Sequence, residues 1–139
     1  MIQAVLDTNV IVSAHLKGEG REALILELAL AGYFRWYVSE ELMEEYEEVL
    51  RRPRFALEPG RIRRWTRELR KRVRMVNPGK AVKVTKDPDD NKVLECALEA
   101  RADYVVTENV RHFPARYQDI RVVTPREFMK ILAADPSKI

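Results

Sequence analysis

Cysteine is almost missing from this chain. Cys96 stands alone among 139 residues, which excludes an intrachain disulfide and any cysteine-rich zinc site. Histidine is nearly as rare, and His15 and His112 are too few and too far apart for a histidine-rich metal centre. No apolar run approaches the roughly 20 residues that span a bilayer. Met1-Ile2-Gln3 has neither the basic nor the apolar segment of a secretory signal. Phosphate-loop and dinucleotide-binding glycine patterns are absent, as is any Ser-His-Asp or reactive-cysteine grouping. Internal repeats, low-complexity tracts and long linkers are missing too. The expectation is a single cytoplasmic domain over residues 1–139, without a membrane partner, in which acids and amides carry any chemistry.

What is abundant is charge, at 34% of residues, and it is unevenly placed. Residues 51–80 hold 12 Lys or Arg against Glu58 and Glu68, a local +10 that leaves −7 on the other 109 residues of a chain whose net charge is +3. Such a block suits a polyanion, and arginine suits phosphate through its planar fork. It equally suits a solvated helix face in a protein rich in Arg and Glu and poor in Ser and Gln. Ile62, Trp65 and Leu69 fall at helical spacing within it, so the block reads as an amphipathic helix.

Glycine and proline divide the rest. Ile2–Leu6 is apolar with little alternation, the mark of a strand buried on both faces. A helix is expected from Arg21 to Ala31, stopped by Gly32, then an aromatic-rich strand over Phe34–Val38. Ser39 can N-cap the next helix, whose first turn carries Glu40 and Glu41. Short extended segments are expected at Arg74–Val76 and Val82–Val84, a helix opening at Asp87-Pro88, and strands at Tyr104–Thr107 and Arg121–Val123. Thr124-Pro125-Arg126-Glu127 is a capping box opening a last helix. Alternating strands and helices predict an α/β fold, a three-layer α/β/α sandwich around a mostly parallel sheet. Ligands of such sheets bind at the carboxyl ends of the strands.

Asp7 lies at such an end. It could merely N-cap a helix, but the β-branched Val10, Ile11 and Val12 would make a poor first turn, which favours a functional carboxylate. On the helix after Ser39, Glu44 and Glu48 point away from the apolar stripe of Leu42, Met43, Tyr46, Val49 and Leu50, whereas Glu45 and Glu47 flank it. Spacing leaves both open. In Asp87-Pro88-Asp89-Asp90-Asn91, Asp87 suits the cap and Asp89 lies to the side. Asp90 falls on the face that buries Val93, Leu94, Ala97 and Leu98, aimed inward at the crevice end. Carboxylates meeting in one cleft repel by about 4 kcal/mol at 4 Å and an effective dielectric of 20. Either a proton or a hard divalent cation such as Mg²⁺ or Mn²⁺ relieves that. Thr8, Asn9, Ser13 and Thr107 add hydroxyl and amide groups able to position a substrate.

The ordered stretches "LDTNVIVSA", "SEELMEEYEEVL" and "KDPDDNKVLECALEARADYVVTEN" resemble the PIN-domain ribonucleases, in particular the small VapC-type toxins of prokaryotic toxin–antitoxin pairs. The likeness covers roughly residues 2 to 130. It implies a Mg²⁺- or Mn²⁺-dependent endoribonuclease, a homodimer and a cognate antitoxin partner. It places the family's acids on Asp7, Glu45 and Asp90 as metal ligands, and so separates Glu45 from Glu47. Asn109 stands where a fourth acid often does; it brings an amide oxygen without charge, and Glu108 is displaced by one position. On this reading Arg61, Arg64, Arg67, Arg70 and Lys71 hold the RNA backbone. The rival is the same fold with a weakened site, an RNA-binding module without turnover. A phosphatase with Asp7 as nucleophile fits less well, because that chemistry wants a second carboxylate where Asn9 stands. His15, His112 and Cys96 are assigned no role.

Overall fold

A computed structural model describes residues 1–136. The elements run β1 (Gln3–Leu6), α1 (Thr8–Lys17), α2 (Arg21–Leu30), β2 (Arg35–Ser39), α3 (Glu40–Leu50), α4 (Pro59–Arg72), β3 (Arg74–Val76), α5 (Pro88–Ala100), β4 (Tyr104–Val106), β5 (Arg116–Tyr117), β6 (Ile120–Val123) and α6 (Pro125–Ala134). The strands form one sheet in the order β3-β2-β1-β4-β6-β5. Every pairing is parallel except the β5–β6 hairpin.

Ala4, Val5 and Leu6 of β1 are fully buried, as befits a central strand covered on both faces. The steps from β1 to β2 and from β2 to β3 cross the sheet one way, and the return from β3 to β4 runs the other. Right-handed crossovers therefore set α1–α4 and α5 on opposite faces, which gives the three layers. α5 packs on β1, β2, β3 and β4, while α2 packs on α1 and α6. Phe128 of α6 meets Phe34 edge to face, with ring centroids 4.9 Å apart. Gly32 closes α2 in the left-handed region at φ 86°, where a side chain would be strained. Thr124 and Glu127 form the reciprocal capping box that opens α6.

Three local expectations change. Val82–Val84 is not a strand: Val82 is buried and its N–H donates to Glu95 at 2.9 Å, so the segment is a loop tied to α5. β5 was not anticipated, since two residues carry no readable alternation. Asp7 does cap a helix, its Oδ1 accepting the Thr8 N–H at 2.8 Å, despite Val10, Ile11 and Val12. β-branching costs a helix a few tenths of a kcal/mol per residue. Val10 and Ile11 are wholly buried, and burying each returns about 1.5–3 kcal/mol. Packing outweighs propensity.

Among the described residues, no helix is long and apolar enough to cross a membrane.

Candidate active site

The order of the sheet reverses at β1, which has β2 on one side and β4 on the other. The crevice between the carboxyl ends of β1 and β4 is where such sheets bind ligands. Asp7 ends β1 and Thr107 follows β4 directly. The Thr107 hydroxyl donates to Asp7 Oδ2 at 2.8 Å, and Asn9 Nδ2 donates to the same oxygen at 3.3 Å. Asn9 also spans the gap, its Oδ1 accepting the Glu108 N–H at 3.2 Å. The Asn109 N–H in turn donates to Thr107 Oγ1 at 3.0 Å. The helix cap and the cleft carboxylate are thus one residue: Asp7 uses Oδ1 to start α1 while Oδ2 is held by the loop after the neighbouring strand.

Two helices bring further acids to this point. Ser39 caps α3 by accepting the Leu42 N–H, and one turn on, Glu45 projects into the cleft and accepts the Thr8 hydroxyl. Tyr46, fully buried beside it, donates its hydroxyl to the Leu6 carbonyl and pins α3 to β1. Glu47 turns the other way, toward Thr66 of α4 and Arg51. Asp87 caps α5 through the Asp89 N–H, and Asp90, in the first turn, faces the crevice with its carboxylate 3.8 Å from His112 Nδ1.

The cleft so formed has a volume of about 360 Å³ and is lined by Asp7, Glu45, Asp90, Thr8, Asn9, Ser13 and Asn109 among others. Burial pushes the Asp7 carboxyl above its ordinary value, against the Thr107 and Thr8 hydrogen bonds, and the charges of Asp87 and Glu108 add to the rise. Burial likewise lifts Glu45 to about 7, opposed by its bond from Thr8 and helped by the charges of Asp89 and Asp7. Asp90 rises to about 6, through burial first and then the charges of Asp7 and Asp87. The charge of Asp7 acts on both of the other two.

An all-oxygen set of this kind fits a hard divalent ion, whose charge would offset the repulsion. Among the described residues, no three His, Cys, Asp or Glu side chains are already gathered around an ion-sized space. The acids line an open cleft, which suits an ion that keeps several water ligands and takes few protein ones.

Several neighbours were not foreseen. Asp89, expected to lie to the side, and Glu108, one position from where the fourth acid is expected, both line the cleft, as does His112. So do Arg52, Arg54 and Phe55, from the loop and short 3₁₀ turn (Pro53–Phe55) after α3. Helix α4, expected to hold RNA, does not border the cleft. Arg70 is engaged by Glu40 at 2.8 Å, Lys71 by Glu68 at 3.2 Å and Arg64 by Glu58 at 3.6 Å, while Arg61 and Arg67 are exposed. His15 lies edge-on against Trp65, 4.4 Å between centroids. Burial and the charge of Arg61 hold it down at about 4. Cys96 is buried, and burial drives its thiol up to about 12, as packing rather than chemistry requires. The signal for Arg52 and Arg54 was present as the start of the basic block; their place beside the acids came only with the fold.

Fold and cleft define a mostly parallel α/β protein with a carboxylate-lined crevice at the reversal of its strand order. Residues 3–111 match the PIN domain family, and the chain belongs to it. No curated protein matches the chain. Among solved structures it is similar to VapBC-1 from nontypeable Haemophilus influenzae, at 19% identity and a TM-score of 0.60, over 90% of this chain and 99% of that one. It is also similar to VapBC2 from Rickettsia felis bound to a DNA fragment from their promoter, at 15% identity and a TM-score of 0.60, over 88% of this chain and 98% of that one. At such identities the likeness is one of fold.

Proposed function

We propose that this chain is a Mg²⁺- or Mn²⁺-dependent endoribonuclease that hydrolyses RNA phosphodiester bonds as a single domain, and the toxin of a toxin–antitoxin pair. The observation that carries the reading is the convergence of Asp7, Glu45 and Asp90, from β1, α3 and α5, in one cleft where all three carboxyls are raised. These three would hold the ion, which when bound supplies Lewis-acid stabilisation of phosphate charge and a more acidic water. Asn109 offers an amide oxygen beside them. Thr107 and Asn9 fix Asp7, Thr8 fixes Glu45, and Ser13 borders the path of the substrate.

Arg52 and Arg54 at the cleft carry the nearest cations for the RNA backbone. Arg61, Arg64, Arg67, Arg70 and Lys71 on α4 extend that surface. The ion pairs of Arg64, Arg70 and Lys71 are solvent-exposed and weak, so phosphates can exchange for their partners. The shared fold with two VapBC structures supports an antitoxin partner, and a homodimer in a cytoplasmic setting completes the proposal.

The test is cleavage of a structured RNA with Mg²⁺ or Mn²⁺ and with chelator, in wild type and Asp90→Asn. Metal-dependent cutting that disappears in the variant is expected. A second reading, a weakened RNA-binding module, is favoured by one feature, the neutral Asn109 beside the three acids. Strong, salt-dependent RNA binding by a folded protein that never cuts would establish it instead.

A further inference from the structure

Beside the acidic cleft lies a larger groove of about 870 Å³, walled by Val84, Lys86, Pro88, Arg111, His112 and Phe113. Asp87, Asp90 and His112 line both, so groove and cleft form one continuous depression with the Asp90 carboxylate at the junction. Their chemistry differs. Beyond the junction the groove has no acid, and its cations, Lys86 and Arg111, make no ion pair among the described residues. Its lining offers open aliphatic and ring atoms: Val84 is 49% exposed and the His112 side chain 60%, beside the buried Phe113.

The walls are hung on the same segments that carry the acids. Asn91 of α5 accepts both the Thr85 N–H at 2.9 Å and the Thr85 hydroxyl at 2.8 Å, which fastens Val84–Lys86 to the turn bearing Asp90. On the other side, the His112 N–H donates to the Asn109 carbonyl at 3.0 Å, setting the 3₁₀ turn Val110–His112 in register with Asn109. A ligand in the groove is thereby held at a fixed offset from the acids.

We propose that this groove is the subsite for the nucleotide flanking the scissile phosphate of a single-stranded RNA. This rests on the nuclease reading above. Polyanion binding to an acidic centre needs cations on its approaches, and Lys86 and Arg111 supply them on this side as Arg52 and Arg54 do on the other. Stacking of an unpaired base needs an exposed ring and apolar walls, which His112, Pro88 and Val84 supply. A duplex keeps its bases stacked within and could use only the cations, so the groove favours single strands.

The deciding experiment measures affinity in chelator, by anisotropy of a short fluorescein-labelled single-stranded RNA, so that binding is read apart from turnover. Lys86→Ala and Arg111→Ala should each weaken binding roughly three- to tenfold and lower the salt slope by about one. His112→Ala should weaken it about tenfold and His112→Phe should restore it, because a ring replaces a ring. Lys130→Ala, which removes the same charge from the exposed face of α6, should change affinity less than about twofold. Thermal melts of each variant confirm folding. If wild type cuts RNA but the Lys86→Ala, Arg111→Ala double variant binds it as tightly, the subsite is wrong while the nuclease stands, and the groove is left to a protein partner. If wild type neither binds nor cuts RNA, both readings fall together.

Discussion

The Thr8 hydroxyl donates to the Glu45 carboxylate and so ties the first turn of α1 to the middle of α3 across the crevice. Asp7, which caps that same turn, therefore keeps its spacing to Glu45 through one short side chain. Thr8→Val preserves shape and removes the tie. The variant should cleave RNA about tenfold more slowly, in line with the loss of one positioned hydrogen bond to a charged group. Thr8→Ser should recover most of the rate. Unaltered cleavage by Thr8→Val would show that Glu45 needs no such support.

Asp7 joins two roles that a substitution can separate. Asn caps helices as well as Asp does, and the Thr107 hydroxyl can turn to accept from an amide. Asp7→Asn should keep the melting temperature or raise it, because a buried charge is gone, while metal-dependent cleavage falls roughly 100-fold or more. Asp7→Ala should lose the rate and also about 1 kcal/mol of helix cap. Cleavage surviving in Asp7→Asn would leave Asp7 as a cap alone.

Glu45 makes stability depend on pH in a direction opposite to most paired carboxylates. Its folded value of about 7 lies above the ordinary 4.5, so the folded state holds the proton more tightly than the unfolded one. Stability from this group is complete below 4.5 and is lost as pH rises through 7. In chelator, Glu45→Gln should accordingly be more stable than wild type at about pH 8, by roughly 1–2 kcal/mol given that Glu45 is only partly buried, and equal to it near pH 4.5. Denaturant melts at both pH values give the difference. A difference that grew toward acid would reverse the assignment.

Much of this was readable in the sequence, for reasons particular residues make plain. β1 was legible because a central strand buries Ala4, Val5 and Leu6 together, and α3 because Ser39 and an unbroken apolar stripe mark its start and face. Asp90 could be found from the helical wheel, since the carboxylate shares a face with the core residues Val93 and Leu94. Asp89, Glu108 and the cleft arginines could not. Their directions are set by where α5, the loop after β4 and the turn Pro53–Phe55 come to rest against one another, and no local period encodes that. Val82–Val84 misled because a loop tied to α5 by Glu95 has the same apolar residues as a strand.

Tyr46 adjoins Glu45 on α3, and its buried hydroxyl donates to the Leu6 carbonyl just before Asp7. Tyr46→Phe leaves that carbonyl short of a partner at a cost of roughly 1–2 kcal/mol. The melting temperature should drop by about 3–8 °C. Because the same bond sets α3 against β1, the cleavage rate should drop as well, and more than Mg²⁺ affinity does. Loss of stability with an unchanged rate would confine Tyr46 to the core.

Asn109 is where the site is short of charge. Its N–H is held by Thr107, itself bonded to Asp7, so the side chain is carried on the same hydrogen-bonded chain as the first acid. Asn109→Asp adds a fourth carboxylate to a cleft where three are already raised. Without metal the added charge should lower stability at neutral pH, since it repels Asp7 and Asp90. With Mg²⁺ or Mn²⁺ the extra oxygen ligand should tighten binding by roughly tenfold and raise the rate of RNA cleavage. Calorimetric titration of the ion into wild type and variant, beside melts in chelator, separates the two effects. Tighter metal binding with no change in rate would mean that Asn109 already does what an aspartate would do in the reaction. Weaker metal binding would place position 109 outside the coordination sphere.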